Sequence, residues 1–234
     1  MAGAADELTP KLLNGELDMA AVPANLAATL FNKSHTEDFC LSVGVVNTLG
    51  VLYLLERPTE NSTSLEDLKG RTIYTTGKGT TPEFALRTLL QAHGLDPDTD
   101  VTMEFAAEAS EAAALFLQTN DARAMVMLPQ PYATSMLASE EGVRQALSLS
   151  ELWDETFPDS HLITGVLVVN RTFAENNPDL MRRFLEDYEF SIRQTQEDPK
   201  TVSTYIEQYG IVEKQLWLRR HCLCATSPSS PERK

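Results

Sequence analysis

One stretch limits what this chain can become: Arg71 to Gly94, RTIYTTGKGTTPEFALRTLLQAHG. Arg71 to Thr76 carries β-branched and aromatic residues in alternation and reads as a short strand. Gly77 and Gly79 break it. Thr81 is read as a helix N-cap, with Pro82 at the first helical position, where its missing N–H costs nothing. Glu83 in the first turn suits the positive end of the helix dipole. Phe84, Leu86, Leu89 and Leu90 supply an apolar face, and Gly94 fits the position just past the helix end. Strand, Gly-rich turn and helix N-terminus form a socket for a polar or anionic group, with backbone N–H groups and the Thr80 and Thr81 hydroxyls aimed into it. An ordinary strand-to-helix turn has the same pattern. A Walker loop is excluded, because the glycine spacing differs and no Gly-Lys-Ser/Thr follows.

The same device recurs around it. Asp6 to Asn14 reads as a helix closed by Gly15, Asp18 to Pro23 as a buried strand, and Asn25 to Lys33 as a helix. Phe39 to Val46 and Gly50 to Leu55 read as strands, with Asn47, Thr48 and Gly50 between them. Ser64 and Asp67 resemble a capping box. Further strands are expected at Val101 to Phe105, Ala124 to Pro129, Val143 to Leu149 and Leu162 to Asn170, the last being the strongest. Ser110 and Ser150 are read as helix caps. Asn177-Pro178 opens a long helix to about Thr195, and Asp198-Pro199 opens another closed by Gly210. Alternating strands and helices predict an α/β fold with a largely parallel sheet. One echo stands out: Asn14 to Asn25 (NGELDMAAVPAN) and Asn120 to Pro131 (NDARAMVMLPQP) each run from a polar turn into an apolar strand ending in Pro. Two related units would produce this, and so would chance likeness of two generic strand–helix units.

Charge and cysteine content remove several functions. With 234 residues the chain can bury one large core or two modest ones. A net charge of −15 argues against nucleic acid and against an anionic membrane surface. No apolar run is long enough to span a bilayer. The start, MAGAADELTPKLL, has no basic and apolar leader pattern, so the expectation is a cytoplasmic chain or one whose start is missing. Cys40, Cys222 and Cys224 make no disulfide framework. His221, Cys222 and Cys224 form H-C-x-C without a second ligand pair at zinc spacing, so no metal is expected. His35, His93 and His161 are isolated. No G-x-S-x-G, H-E-x-x-H or recognisable nucleophilic Cys is present, so no catalytic residue and no cofactor are expected. Asn61 and Asn170 match the glycosylation pattern at a frequency chance explains. Trp153 and Trp217 are read as packing residues.

At this point the chain resembles the solute-binding component of an ABC importer. The likeness is to the type II periplasmic binding fold of the nitrate, sulfonate and thiamine-pyrimidine branch. It is carried by GELDMAAVPANLA, NTLGVLYLLE, SLEDLKGRTIYTTGKGTTPEFALRTLL, the Pro129 to Pro131 PQP, and FAENNPDLMRRFLEDY, and covers roughly Ala4 to Val212. The resemblance implies two α/β lobes with a ligand cleft between them, joined by crossings near Asn47 to Leu55 and His161 to Val166. It divides the chain into 1–50 (lobe one, first part), 51–161 (lobe two), 162–220 (lobe one, second part) and a frayed tail, 221–234. The family's signal, lipid-anchoring Cys and first strand are not found ahead of Ala2, and Leu216 to Lys234 does not resemble its closing helices. A chain lacking that first strand is therefore expected.

On this resemblance the cleft residues are those at strand ends. Pro23, Ala24 and Asn25 come from lobe one. Asn47, Thr48 and Leu49 lie at the first crossing, and Thr164 at the second. Gly77, Lys78, Gly79, Thr80, Thr81, Glu108, Gln130 and Tyr132 come from lobe two. Mostly neutral hydrogen-bonding groups on an apolar wall suit a small polar organic ligand, sulfonate or pyrimidine-like. Lys78 would offset an anion or point to water. Glu108 would accept from an amine or serve the dipole of the Ser110 helix. Asn25 would contact ligand, cap its helix, or both. The implied function is non-enzymatic: capture of the solute by hinge closure, then docking on ABC permease subunits at the periplasmic or outer cell surface. The membrane would be reached only through a lipid anchor. Two alternatives remain: a thiamine-pyrimidine synthase-like enzyme using His, a Cys-rich segment and iron, and a ligand-binding sensor domain.

Overall fold

The computed structural model describes residues 8–34 and 40–209. Helix α1 (Leu8–Leu13) leads into β1 (Met19–Pro23) and α2 (Ala24–Ser34). Strands β2 (Leu41–Leu49) and β3 (Leu52–Glu56) follow. A 3₁₀ turn, Leu65–Leu68, precedes β4 (Thr72–Thr75), α3 (Thr81–Ala92), β5 (Thr102–Phe105), α4 (Ala109–Gln118), β6 (Met125–Pro129) and α5 (Tyr132–Ser139). The chain continues with β7 (Arg144–Ser148), α6 (Leu149–Thr156), β8 (Ile163–Asn170), α7 (Arg171–Asn176), α8 (Pro178–Glu197) and α9 (Pro199–Gln208). The expected ends at Asp6, Phe39 and Gly210, together with His35, Trp217, His221, Cys222 and Cys224, lie outside the described residues.

Among the described residues two sheets form, and they differ in kind. The first has the order β1-β8-β2 and is wholly antiparallel. The second has the order β5-β4-β6-β3-β7; β5, β4 and β6 run parallel, and β3 is antiparallel to both its neighbours. The expectation of a largely parallel sheet is thus corrected: it holds only for the β4–β6 core. The physical reason is connection length. β4, β5 and β6 are joined through α3 and α4, which are long enough to return the chain for parallel pairing. β2 passes into β3 through two residues, which leaves no room for a crossover.

Helices cover both faces of the five-stranded sheet. Leu86, Leu89 and Leu90 of α3 pack with Ile73, Met125 and Met127 on one side. Phe116, Ala112, Ala133 and Met136 of α4 and α5 pack with Val126 and Leu128 on the other. β6 is buried on both faces, which is why MVMLP is apolar without alternation. A smaller core joins Leu12, Ala27 and Leu30 to Ala20, Val22, Leu41, Val166 and Val168 of the three-stranded sheet. Helix α8 contributes little: of its apolar positions only Met181 is buried, while Leu180, Phe190 and Ile192 stay exposed.

Several caps are as expected. Asp67 accepts from the Thr63 and Ser64 N–H groups at 2.9 and 3.1 Å, and Asp198 accepts from Thr201 N–H. Others shift by a residue or two. Thr80 rather than Thr81 is the N-cap of α3, Glu108 rather than Ser110 that of α4, and Ser148 rather than Ser150 that of α6.

At the far end of β3 the fully buried Glu56 gathers Ser62 N–H (2.9 Å), Ser62 Oγ (2.6 Å), Arg71 Nη1 (2.8 Å) and Arg144 Nη2. Burial alone would raise its carboxyl pKa. The Ser62 and Arg71 hydrogen bonds outweigh burial and hold it below the ordinary value. Arg71, the first residue of the constraining stretch, therefore anchors the start of β4 to the end of β3.

The passage between the sheets is made by Gly50 and Val51, both in the left-handed region at φ +66° and +70°. β2 continues to Leu49, three residues past the expected end at Val46, and β3 begins at Leu52 rather than Gly50. A β-branched residue at positive φ is strained, by about 1–3 kcal/mol. It is held in place by Gly50 N–H to Leu162 O (2.7 Å) and Gln130 N–H to Val51 O (3.0 Å). A Cβ on Gly50 would lie 1.7 Å from Ser150 Oγ. Gly50→Ala is expected to cost about 1–2 kcal/mol for its conformation plus about 1–3 kcal/mol for overpacking. Adding Ser150→Gly should return the second part, less the roughly 1 kcal/mol that a helical Gly costs; urea midpoints of the three proteins check this.

Candidate ligand cleft

Where β1 ends and α2 begins, the chain meets the β4–α3 turn of the other sheet. Asn25, in the first turn of α2, uses both ends of its carboxamide there. Its Nδ2 donates to Gly79 O (3.3 Å), and its Oδ1 accepts from Thr81 Oγ1 (3.0 Å). Because α2 starts at Ala24, Asn25 is already inside the helix. Its side chain therefore reaches the turn of the other sheet, and helix capping is not its role. Pro23, the last residue of β1, stands in register with Gly165 of β8.

The β4–α3 turn satisfies itself. Gly77 and Gly79 are at φ +77° and +73°, which lets the chain double back. Thr80 donates to Gly77 O through both its N–H (2.9 Å) and its hydroxyl (2.6 Å). Gly79 N–H donates to Glu83 Oε2 at 2.7 Å. The Gly79 and Thr80 donors that the sequence aims at a ligand are thus taken within the turn. Glu83 is 8% exposed, and Arg87 Nε meets its other oxygen at 2.8 Å while reaching Asp98 through Nη1 at 2.7 Å. The Gly79 N–H holds the Glu83 carboxyl below its usual pKa, with burial opposing and Arg87 assisting. Lys78 lies over the Phe105 ring, 5.7 Å from its centroid.

At the crossings a second group forms. Thr48 Oγ1 donates to Asn47 Oδ1 (3.2 Å), and Thr164 Oγ1 donates to Thr48 O (3.3 Å). Both side chains close over Gly165: a Cβ there would lie 2.8 Å from Asn47 Oδ1 and 2.9 Å from Thr48 Oγ1. Gly165 escaped the sequence reading, although a glycine inside the strongest strand is the kind of signal that marks close approach. A cavity of about 1010 Å³ opens beside this group. Asn47, Thr48, Leu49 and Val51 line one side, His161 and Ile163 another, and Leu185, Tyr188 and Ile192 of α8 a third.

The remaining expected residues stand apart. Gln130 Oε1 accepts from Thr134 Oγ1 (2.8 Å), so that oxygen serves the start of α5. Tyr132 is 39% exposed in the first turn of α5. Glu108 is exposed at the start of α4, and its carbonyl accepts from Ala112 N–H. Among the described residues no group of three or more His, Cys, Asp or Glu could hold a metal ion, and no helix is long and apolar enough to cross a membrane.

The NMT1-like family model matches residues 2–189. The chain belongs to the NMT1-like family. No curated protein sequence matches it. An ABC transporter crystal structure from Parabacteroides distasonis is 21% identical, with a TM-score of 0.71 over 92% of this chain and 69% of that one. The periplasmic aliphatic sulphonate binding protein of Escherichia coli is 18% identical, with a TM-score of 0.69 over 88% and 65%. The alkanesulfonate-binding protein of Xanthomonas axonopodis pv. citri, bound to MOPS, is 17% identical, with a TM-score of 0.62 over 91% and 68%. The chain thus spans about two thirds of these neighbours' length. At such identities the likeness is one of fold: an α/β, two-lobed periplasmic-binding-protein architecture.

The NMT1-like chain should carry the mark of Glu83 in its acid stability. With its pKa lowered on folding, Glu83 contributes stability above its ordinary value of about 4.5, and this is lost as pH falls through the folded value. The stability difference between wild type and Glu83→Gln should therefore be full above that ordinary value and shrink as pH falls through the lowered folded value. Urea unfolding across that range measures it.

Proposed function

We propose that this chain captures a small polar organic solute between its two lobes and closes around it, as the binding component of an ABC importer. The supporting observation is the Asn25 carboxamide, which joins the end of β1 and start of α2 to the β4–α3 turn of the other sheet. Strand C-terminal ends and helix N-terminal turns are where ligands sit in open α/β sheets. On this reading one lobe comprises residues up to about 50 and from about 162 onward, and the other the residues between. Gly50–Val51 and the approach to β8 are the two passages between the lobes. Pro23, Asn25, Gly77, Gly79, Thr80 and Thr81 form the walls, and Asn47, Thr48 and Thr164 the floor. Glu108 and Gln130 are assigned to the rim. The closed form would present its surface to a permease outside the cytoplasm; the Escherichia coli neighbour is named a periplasmic protein.

Ligand bridging works by differential affinity: a solute stabilises the closed form only by as much as it binds that form better. The test is a thermal-shift panel of alkanesulfonates, alkylamines, pyrimidines and aromatic acids on the purified chain. A ligand at about a hundredfold its dissociation constant should stabilise by about 2.7 kcal/mol, a shift of several degrees. Asn25→Ala should reduce the shift of any hit at equal concentration. A hit whose shift survives Asn25→Ala, Thr48→Val and Thr81→Val unchanged would place binding elsewhere and refute this cleft.

A further inference from the structure

We propose that the open edge of β2 and the apolar stripe of α8 form a strand-addition groove for a short, extended, basic segment of a partner protein. This goes beyond the solute reading and shares with it only Asn47 and Thr48.

β2 ends the order β1-β8-β2, and among the described residues no strand pairs with its other side. Hydrogen bonds along β8 alternate between its neighbours: Asn170 N–H donates to Asp18 O on the β1 side, and Arg171 N–H to Cys40 O on the β2 side. Cys40 is therefore turned toward β8, and Val43, three residues on, is turned away from it. The register shift at Gly44 sets Val46 opposite Val166, one of the β8 residues turned toward β1, so Val46 also directs its N–H and C=O to the open side. Edge strands are usually short or blunted by charge or proline. The other edge strands obey this: β1, β5 and β7 have four or five residues each and carry Pro23, Glu104 and Arg144. β2 has nine residues, LSVGVVNTL, with neither charge nor proline, and its Val43 and Val46 side chains are 58% and 43% exposed. Its bulges bend it, which limits an added strand to a few residues.

Two cavities open along this edge. Residues 44–49 all line the one of about 1010 Å³. Successive side chains of a strand point to opposite faces, so a run of six lining residues means that the cavity meets the strand at its backbone edge. Leu185, Tyr188 and Ile192, three and four residues apart on α8, make the opposite wall. A second cavity of about 350 Å³ joins residues 41–43 to Ala27, Ala28 and Phe31 of α2. A segment laid along β2 pairs its main chain with Val43 and Val46 and offers side chains to the α8 stripe and the α2 recess; pairing supplies affinity and the recesses supply specificity. Charge names the partner. Glu189 holds Arg193 at 3.0 Å and Asp154 meets His161 at 3.1 Å, while Asp159, also in the lining, has no cation partner among the described residues. With a net charge of −15 on the whole chain, this mouth attracts a basic segment and repels a second copy.

The test is fluorescence polarisation of the labelled peptide KTVKVTVK with the full chain. Its controls are the acidic counterpart ETVEVTVE and a KTVKVTVK N-methylated at the middle valine and at the lysine before it, which blocks main-chain pairing in either phase. Val43→Pro removes an N–H that the sheet does not use. Val46→Lys blunts the edge with charge and serves should the proline variant not fold. Leu117→Lys, on the exposed side of α4, adds the same charge elsewhere. The expected result is saturable KTVKVTVK binding by wild type and Leu117→Lys, and at least tenfold weaker binding for both control peptides and for both β2 variants. Binding that N-methylation and the β2 variants leave unchanged overturns the proposal, and so does a wild type that does not bind KTVKVTVK. A wild-type dimer in sedimentation that Val43→Pro dissolves gives the edge to a second copy and overturns it as well. Solute shifts in the thermal panel are read separately, so either proposal can fail alone.

Discussion

The Asn25 carboxamide is the contact on which the rest of the account depends. It is small, and each neutral hydrogen bond it makes contributes about 0.5–1.5 kcal/mol at most. Its importance lies in where it acts. Both partners, Gly79 O and Thr81 Oγ1, belong to the five-stranded sheet, whereas Asn25 is carried by the helix packed on the three-stranded one. A weak contact between two well-packed bodies sets their relative position without fixing it. That is the energy range in which a bound solute can shift a two-state equilibrium.

The passage between the sheets is stiff where the clasp is soft. Val51 at φ +70° and the 1.7 Å approach that a Gly50 Cβ would make to Ser150 leave few ways to pass from β2 to β3. Positions of this kind persist only where the surroundings over-determine them, and they cluster at functional sites. Here the surroundings are the Leu162 carbonyl and the Gln130 N–H, which tie the first crossing to the entry of β8 and to the end of β6. The chain thus joins three strand ends at one strained point, directly below the group made by Asn47, Thr48, Thr164 and Gly165.

Much of the fold was legible because local signals agree with the final packing. The alternation in TIYT, the continuous apolar MVMLP and the Asn177-Pro178 helix start each state their environment through residue type alone. Strand direction was not legible. Nothing in LYLLE announces that it runs against its neighbours, because direction is decided by the two-residue link before it and by partners far along the chain. Caps slipped by a residue or two, as at Thr80 and Ser148, because several adjacent Ser and Thr residues can each serve.

The site was half legible for a related reason. Asn25, Thr80 and Thr81 were singled out from their place at strand ends and turns. What they do was hidden, since Asn25 meets its partners 54 and 56 residues away. Glu83 was read as a helix-dipole residue, and its hold on Gly79 N–H became visible only when the turn was folded. The central claim is that Asn25 holds the two lobes together across a cleft. Pulsed dipolar spectroscopy between spin labels at the exposed Lys33 and Gln91, with Cys40, Cys222 and Cys224 replaced by Ala, tests it most directly. The account predicts a narrow distance distribution for the parent and a broader one shifted to longer distances for Asn25→Ala. Identical distributions in the two proteins would contradict it.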